Sequence, residues 1–399
     1  GRRMKRALKL LCSLIGGGIL ILAAIAVTLI DFSNDDNLDR FIEDKMAAIE
    51  AKGLAVAFIR DGKISWSKNY GYADVEAGKP VTDETIFQIA SVSKLVTGVA
   101  IMQLYEKGLI DLDASINDYL PFAIVNPNFA DQKITTRMLL QHRSSLVDNE
   151  DAYRSTFTVF SGSPDPELTL EELVRGYFLA GGELYDVEAN FSTSPPGTEQ
   201  DYSNVAFGLL GFIAEQVTKQ PFNTYCNQNI FLPLGMQSTG WFSTEIELER
   251  MAVQYDGETR LKPYGVASYP DGGLKTTVAD FSKFLIAMMN GGQYQGQRVL
   301  QPSTLQEMMP ENPSDNLAIS PDVFSDLMVD TEGHPVPGHL GGDPGISSFA
   351  GFSKSNGRGL IIFANGSQSL ISPSPFMLLK LLNIRSPWRR LADEAGLFQ

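Results

Sequence analysis

Two pairs of strands, one near each end of the chain, limit the possible folds more than any other feature of this sequence. Residues 54–59 form an apolar run, and the Asp61-Gly62 dipeptide that follows is a strong two-residue hairpin turn. Residues 63–72 return as the second strand, and residues 345–353 and 360–364 form a similar pair near the other end. Two such hairpins can join into one antiparallel sheet, which must bury its apolar faces against helices.

The sequence between the hairpins is mostly helical. Residues 91–107 predict a buried helix, and residues 37–52 predict an amphipathic helix that covers the sheet. A short helix over residues 376–384 closes the chain. We therefore predict an α+β fold: an antiparallel sheet flanked by N- and C-terminal helices, with a largely helical second lobe over about residues 95–265. The cleft between the lobes is the natural place for a site.

The N-terminus predicts a membrane segment. Five basic residues precede an uncharged apolar run over residues 10–30, and about 20 apolar residues suffice to cross a bilayer as a helix. The basic flank should stay in the cytoplasm. We predict that residues 1–36 are a single-pass anchor in a bacterial cytoplasmic membrane, and that one domain, residues 37–399, lies on its periplasmic or extracellular side. A cleaved signal peptide with a weak Ala24-x-Ala26 site is the alternative.

Charge and composition exclude several classes of function. The chain has 47 acidic and 32 basic residues, and this negative charge would repel the phosphate backbone, so no nucleic-acid partner is expected. Its two cysteines and three histidines are poor material for a disulfide framework or a zinc site. We expect no metal and no cofactor, and the oligomeric state is left open.

The motif Ser91-Val92-Ser93-Lys94 carries the first element of the chemistry. A serine hydroxyl needs a base to become a useful nucleophile, and positions i and i+3 of a helix share a face. A second S-x-x-K copy, Ser65 to Lys68, lies in the returning strand, where i and i+3 point to opposite faces. We interpret that copy as structural and Ser91 as the candidate nucleophile.

Two further elements follow in order. Tyr202-Ser203-Asn204 stands at a loop-to-helix junction, from which a tyrosine can project into a cleft. The segment His339-Leu340-Gly341-Gly342 has glycines that would let a substrate approach an edge strand closely. A backbone N–H here, together with that of Ser91, would make an oxyanion hole.

These three elements together resemble the serine beta-lactamase and penicillin-binding-protein superfamily, in particular its class C beta-lactamase-like branch of esterases, D-peptidases and lactamases. The resemblance implies that Ser91 attacks a carbonyl, that Lys94 and Tyr202 share the general-base work, and that Asn204 holds Lys94 and contacts substrate. It also implies that the N–H groups of Ser91 and Gly342 bind the oxyanion. Which of Lys94 and Tyr202 takes the proton stays open.

One departure bears on the substrate. The third motif of lactamases and carboxypeptidases is commonly Lys-Thr/Ser-Gly, which recognises a substrate carboxylate, and here it is His339-Leu340-Gly341. We therefore predict a serine hydrolase of small-molecule or peptide esters or amides. The alternatives are a D-specific peptidase, D,D-carboxypeptidase or beta-lactamase, and a non-catalytic binding or sensor module. An alpha/beta-hydrolase is excluded because no G-x-S-x-G motif occurs.

Overall fold

The computed structural model describes residues 35–48, 50–159, 161–319, 336–355 and 357–367. Its helices are α1 (Asp35–Ala48), α2 (Ser93–Glu106), α3 (Thr136–Leu140), α4 (Glu150–Ser155), α5 (Leu170–Phe178), α6 (Asn204–Thr218), α7 (Phe222–Cys226), α8 (Leu232–Leu234), α9 (Tyr269–Gly272), α10 (Val278–Met289) and α11 (Pro302–Met308). Its strands are β1 (Gly53–Arg60), β2 (Lys63–Asp74), β3 (Lys79–Pro80), β4 (Phe87–Gln88), β5 (Tyr255–Asp256), β6 (Thr259–Arg260), β7 (Lys275–Thr276), β8 (Gln293–Tyr294), β9 (Gln297–Arg298), β10 (Gly338–Asp343), β11 (Ile346–Ser353), β12 (Arg358–Ala364) and β13 (Gly366–Ser367).

The main sheet of the described residues has six strands in the order β10-β11-β12-β1-β2-β3. The strands from the two ends of the chain meet where β1 pairs with β12, antiparallel, from Leu54 opposite Ala364 to Arg60 opposite Arg358. The predicted joining of two terminal hairpins into one antiparallel sheet is therefore confirmed. β10 lies at the edge of the sheet, with β11 as its single neighbour.

Alternation along β1 separates two apolar layers. Leu54, Val56 and Phe58 belong to one cluster, which also holds Ile42 and Met46 of α1. The intervening residues of β1, alanine at 55 and 57 and isoleucine at 59, belong to the larger core, with α2, α6 and α10. Successive side chains of a strand point to opposite faces, so each face of the sheet has its own helical cover. The helical lobe thus packs against the face that does not meet α1.

The predicted location in a membrane is not upheld and is corrected here. Among the helices of the described residues, none is long and apolar enough to cross a bilayer. One of the longest, α6, has 15 residues, whereas a span needs about 20. The apolar run at 10–30 lies outside the described residues, as does the predicted closing helix at 376–384. The assignment of residues 1–36 as a membrane anchor therefore has no support, and neither has a periplasmic or extracellular location.

Candidate active site

Ser91 lies in a strained turn that leads into α2. A single 3₁₀ turn, Ala90–Val92, precedes the helix, and Ala90 adopts a φ of 45°, a left-handed conformation that is costly for a residue with a Cβ. The turn is anchored by Ile89, whose N–H donates to Leu274 O at 3.0 Å and whose carbonyl accepts from Ser348 Oγ at 2.6 Å. These contacts hold the partly exposed Ser91 at the junction of the two lobes.

Lys94 is fully buried one helical turn after Ser91. Its Nζ donates to Ser91 Oγ at 3.0 Å, to Asn204 Oδ1 at 2.7 Å and to the backbone carbonyl of Asp271 at 3.0 Å. An ammonium group has three N–H donors, and these acceptors are enough to satisfy it. The structure therefore brings the first and second sequence elements into direct contact.

The carboxylate of Asp271 adds a negative charge 3.8 Å from Lys94 Nζ. Burial by itself would lower the pKa of Lys94, but the negative charge of a Tyr202 phenolate, with those of Asp271 and Asp148, opposes burial, and the pKa of Lys94 is raised. Burial also raises the pKa of Tyr202, although Lys94 and hydrogen bonds with Lys94 and Ser91 oppose this. The raised pKa of Tyr202 favours its neutral phenol near neutral pH, and Asp271 and Asp148 are then the charges that favour an ammonium on Lys94.

Tyr202 is buried on the segment that leads into α6, and a histidine fixes its ring. His142 stacks on Tyr202 with ring centroids 4.3 Å apart, and its Nδ1 accepts the N–H of Ser203 at 3.1 Å. Burial holds the pKa of His142 well below its ordinary value, so the ring is neutral and can accept that bond. Lys94 Nζ lies 5.0 Å from the centre of the Tyr202 ring. These contacts give His142 a role in holding the segment that carries Tyr202 and Ser203.

Asn204 is the first residue of α6, and Asp148 holds it. The Asp148 carboxylate accepts the backbone N–H groups of Asn204 and Val205 and the side-chain amide of Asn204, at 2.8 to 3.1 Å. Because that amide nitrogen donates to Asp148, the amide oxygen is turned toward Lys94. Burial nevertheless raises the pKa of Asp148 to about 6.

The third sequence element is the edge strand β10. A Cβ added to Gly341 would lie 2.6 Å from Ile89 O and 3.2 Å from the Ser91 nitrogen, so only glycine lets this strand rest against the nucleophile turn. Gly342 follows and is partly exposed. His339 is fully buried, its Nδ1 contacts the Leu340 carbonyl, and burial lowers its pKa to about 3, with Lys94 adding to the effect. His339 is therefore a neutral ring at physiological pH.

The second copies of the motifs lie elsewhere. Ser65 sits on β2 and donates to the Phe58 carbonyl at 3.3 Å, while Lys68 pairs with Asp39 of α1. Tyr225, which belongs to the second Tyr-x-Asn copy, is buried in α7 and contacts Lys107. Neither copy approaches Ser91.

Sequence reasoning missed the acidic residues around Lys94. Asp271 occurs in a Pro-Asp-Gly-Gly run, which is typical of a surface turn, and Asp148 begins the polar run Asp-Asn-Glu-Asp, which is typical of an exposed loop. In a chain with 47 acidic residues, neither position carries a signal of burial. The adjacent Gly272-Gly273-Leu274 stretch was the one available pointer to Asp271.

Comparison with known proteins identifies the family. The profile of the beta-lactamase family, described as "Beta-lactamase", matches residues 38–374. The chain belongs to the beta-lactamase family. The resemblance inferred from the motifs is thereby confirmed, and the fold is that of beta-lactamases and penicillin-binding proteins. Membership of the beta-lactamase family places the chain among the serine hydrolases.

Individual relatives of this beta-lactamase-family chain are distant. Protein flp of Staphylococcus aureus (strain COL) is 26% identical over 265 residues, which are 64% of this chain and 49% of that protein. The chain thus spans about half the length of the curated relatives it matches. An octameric penicillin-binding protein homologue from Pyrococcus abyssi superimposes with a TM-score of 0.67 and 25% identity, covering 88% of this chain and 78% of the other. A D-amino acid amidase from Ochrobactrum anthropi SV3 superimposes with a TM-score of 0.65 and 24% identity, covering 85% of this chain and 93% of the other.

Proposed function

We propose that this chain hydrolyses a small ester or amide through an acyl-enzyme on Ser91. The observation that carries the proposal is the position of Lys94, whose Nζ lies 3.0 Å from Ser91 Oγ and 2.7 Å from Asn204 Oδ1. A buried lysine beside the serine, a tyrosine next to that lysine and a serine held in a strained turn are the parts that acyl transfer requires. The non-catalytic alternative gives no reason to keep a fully buried lysine beside an accessible serine.

The proposed reaction has two halves. In the reactive form, the Lys94–Tyr202 pair has released one of its two protons to solvent. Ser91 Oγ attacks the carbonyl carbon as its proton passes to this singly protonated pair, and the N–H groups of Ser91 and Gly342 stabilise the oxyanion. The bond to the alkoxide or amine leaving group then breaks, and Tyr202 returns the proton to that group. Water attacks the acyl-Ser91 ester by the same proton path and releases the acid. Asn204 positions Lys94 throughout.

The substrate that fits this site has no carboxylate close to the scissile bond. His339 is neutral, Leu340 is apolar, and the three N–H donors of Lys94 already have acceptors. A desolvated carboxylate needs a paired cation, because burying it alone is costly. Neutral esters and amides therefore suit these positions better than penicillins or peptides that end in a free carboxylate. The similarity to the D-amino acid amidase is compatible with an amide substrate.

Covalent labelling tests the nucleophile. A fluorophosphonate probe should label the protein on Ser91, and Ser91→Ala should abolish labelling. Ser65→Ala is the matched control, because it removes the serine of the second S-x-x-K copy and should leave labelling intact. Labelling that persists in Ser91→Ala, or disappears in Ser65→Ala, would show that the nucleophile is assigned wrongly.

A further inference from the structure

A second buried network lies next to Lys94 and is centred on Asp271. The Asp271 side chain is 1% exposed, and its carboxylate accepts hydrogen bonds from Tyr153 Oη, at 3.0 and 3.3 Å, and from Ser268 Oγ. Tyr153 and Ser268 are themselves buried. A buried carboxylate with two hydroxyl donors and a lysine 3.8 Å away is fixed in position and, with Lys94, forms a buried ion pair.

Asp271 interacts with Lys94 through both its backbone and its side chain. The Asp271 backbone carbonyl accepts from Lys94 Nζ at 3.0 Å, and its carboxylate attracts the same ammonium through space. A buried pair of this kind is weak grounds for a role in stability, because the cost of removing two charges from water offsets much of their attraction. Lys94, one member of this pair, also donates to the candidate nucleophile Ser91. The position of the pair therefore points to a role in proton transfer.

We propose that Asp271 is a positioning residue that keeps the catalytic proton on Lys94 and thereby makes the Tyr202 oxygen the acceptor of the Ser91 proton. This inference rests on the proposed function. Lys94 and Tyr202 titrate as a coupled pair, and the reactive form carries one proton between them. In this form, the proton can lie on Lys94, giving an ammonium and a Tyr202 phenolate, or on Tyr202, giving a Lys94 amine and a phenol. A carboxylate beside Lys94 favours the first arrangement. Lys94 then stabilises the phenolate, and Tyr202 accepts the proton from Ser91.

Other titratable groups also face this pair, and each belongs to a different element. Those that interact electrostatically with Lys94 or Asp271 are Asp148, Tyr153 of α4, Asp343 and His339 of β10, His142 and Tyr202. Arg154 and Glu150 act on Asp343 in turn. Asp271 is singled out because it alone of the carboxylates in this set forms an ion pair with Lys94 within 4 Å.

The pH dependence of kcat/KM for 4-nitrophenyl butyrate tests the inference on the full chain. Asp271→Asn removes a negative charge, so the Lys94–Tyr202 pair should lose its protons more easily, and both limbs of the profile should move about one pH unit lower. The plateau should fall by about a hundredfold, because the shared proton then rests on Tyr202. Tyr153→Phe keeps the carboxylate but removes a donor that stabilises its charged form. Asp271 then protonates more readily and so loses the charge that Asp271→Asn also removes, and the acid limb should move lower, in the same direction as in Asp271→Asn and by less.

Asp280→Asn is the matched control. Asp280 is another buried aspartate paired with a lysine, Lys283 at 2.8 Å, and it lies on α10 outside the site. Its variant should keep both limbs in place. An Asp271→Asn profile whose limbs match those of the parent would overturn the proposal, and an unmoved acid limb in Tyr153→Phe would remove Tyr153 from it. Fluorophosphonate labelling of Ser91 in every variant separates this outcome from failure of the proposed function, which would appear as loss of labelling in the parent.

Discussion

Asp148 and Asn204 are joined by two hydrogen bonds to one carboxylate oxygen, from the Asn204 backbone N–H at 2.9 Å and from its side-chain amide at 2.8 Å. Asp148 thus accepts the first two N–H groups of α6, whose N-cap is Ser203, and also orients the amide that holds Lys94. The start of the helix and the geometry of the candidate site depend on the same carboxylate.

Asp148→Ala should therefore affect stability and activity together. The variant leaves the N–H groups at the start of α6 without their acceptor, and we expect a loss of about 2 kcal/mol in the free energy of unfolding. Asn204 also loses its orientation, so ester turnover should fall in protein that remains folded. Thr169→Ala is the control, since Thr169 caps α5 through a capping box outside the site. It should lose about 1 kcal/mol in urea unfolding and keep parental turnover. Parental kcat/KM in Asp148→Ala would contradict the orienting role.

The chain offers a comparison between two fully buried lysines, Lys94 and Lys275. Burial lowers the pKa of Lys275 to about 8, and its Nζ donates to the carbonyls of Trp241 and Gly273. Lys94→Met should slow fluorophosphonate labelling by about a hundredfold or more, because it removes the cation beside Ser91. Lys275→Met should lower thermal stability but label at close to the parental rate. Equal effects on the labelling rate of the folded fractions would show that Lys94 acts through packing alone.

The fold was predictable because its strongest signals are local. The Asp61-Gly62 turn sets the first hairpin, and apolar alternation in β1 gives each face of the sheet a cover. The three glycines of β10 agree with its edge position, because glycine weakens a strand interior and allows close approach of another backbone. The membrane prediction rested on a run whose structure is not described, and no helix of the described residues supports it.

Only some residues of the candidate site could be predicted from the sequence. Ser91 and Lys94 lie three residues apart, so helix periodicity alone brings them together. Asp148 and Asp271 reach the same lysine from 54 and 177 residues away along the chain, through packing of α6 and α9 against α2. Such contacts leave no periodic or spacing signal, and the preference of aspartate for exposed turns argues against burial.

Asp343 should make stability depend on pH. It stands at the end of β10, and burial, followed by Asp271, raises its pKa to about 8 from an ordinary 3.8. In the unfolded chain this carboxyl loses its proton near pH 4, whereas the folded protein keeps it to about pH 8. The folded state therefore binds more protons across that window, and its stability falls as pH rises.

Asp343→Asn should remove this loss of stability at high pH. The variant and the parent should have similar free energies of unfolding near pH 4, and the variant should be more stable near pH 8, by at least about 1 kcal/mol. Urea unfolding at the two pH values measures the difference. If the free energy of unfolding of the variant differs from that of the parent by the same amount at both pH values, Asp343 acts through packing and not through its charge.

Substrate preference is the prediction that depends most on the third motif. Leu340 is buried at the edge strand and packs in the cluster that contains Tyr202 and Val336. A carboxylate-bearing substrate would find no hydroxyl at Leu340 and a neutral ring at His339. We therefore expect a neutral 4-nitrophenyl ester to give a higher kcat/KM at neutral pH than nitrocefin or a peptide ending in D-Ala-D-Ala.

A single substitution can shift that ranking without a second buried cation next to Lys94. Leu340→Thr introduces a hydroxyl donor at the edge strand and should raise kcat/KM for nitrocefin relative to the ester. Leu340→Val has the same branched shape without the hydroxyl, so it should leave the ratio near the parental value. A parent that turns over nitrocefin or the peptide faster than the ester would show that basic groups outside this motif hold the carboxylate. The inference from His339 and Leu340 would then be wrong, while the assignment of Ser91, which rests on labelling, would stand.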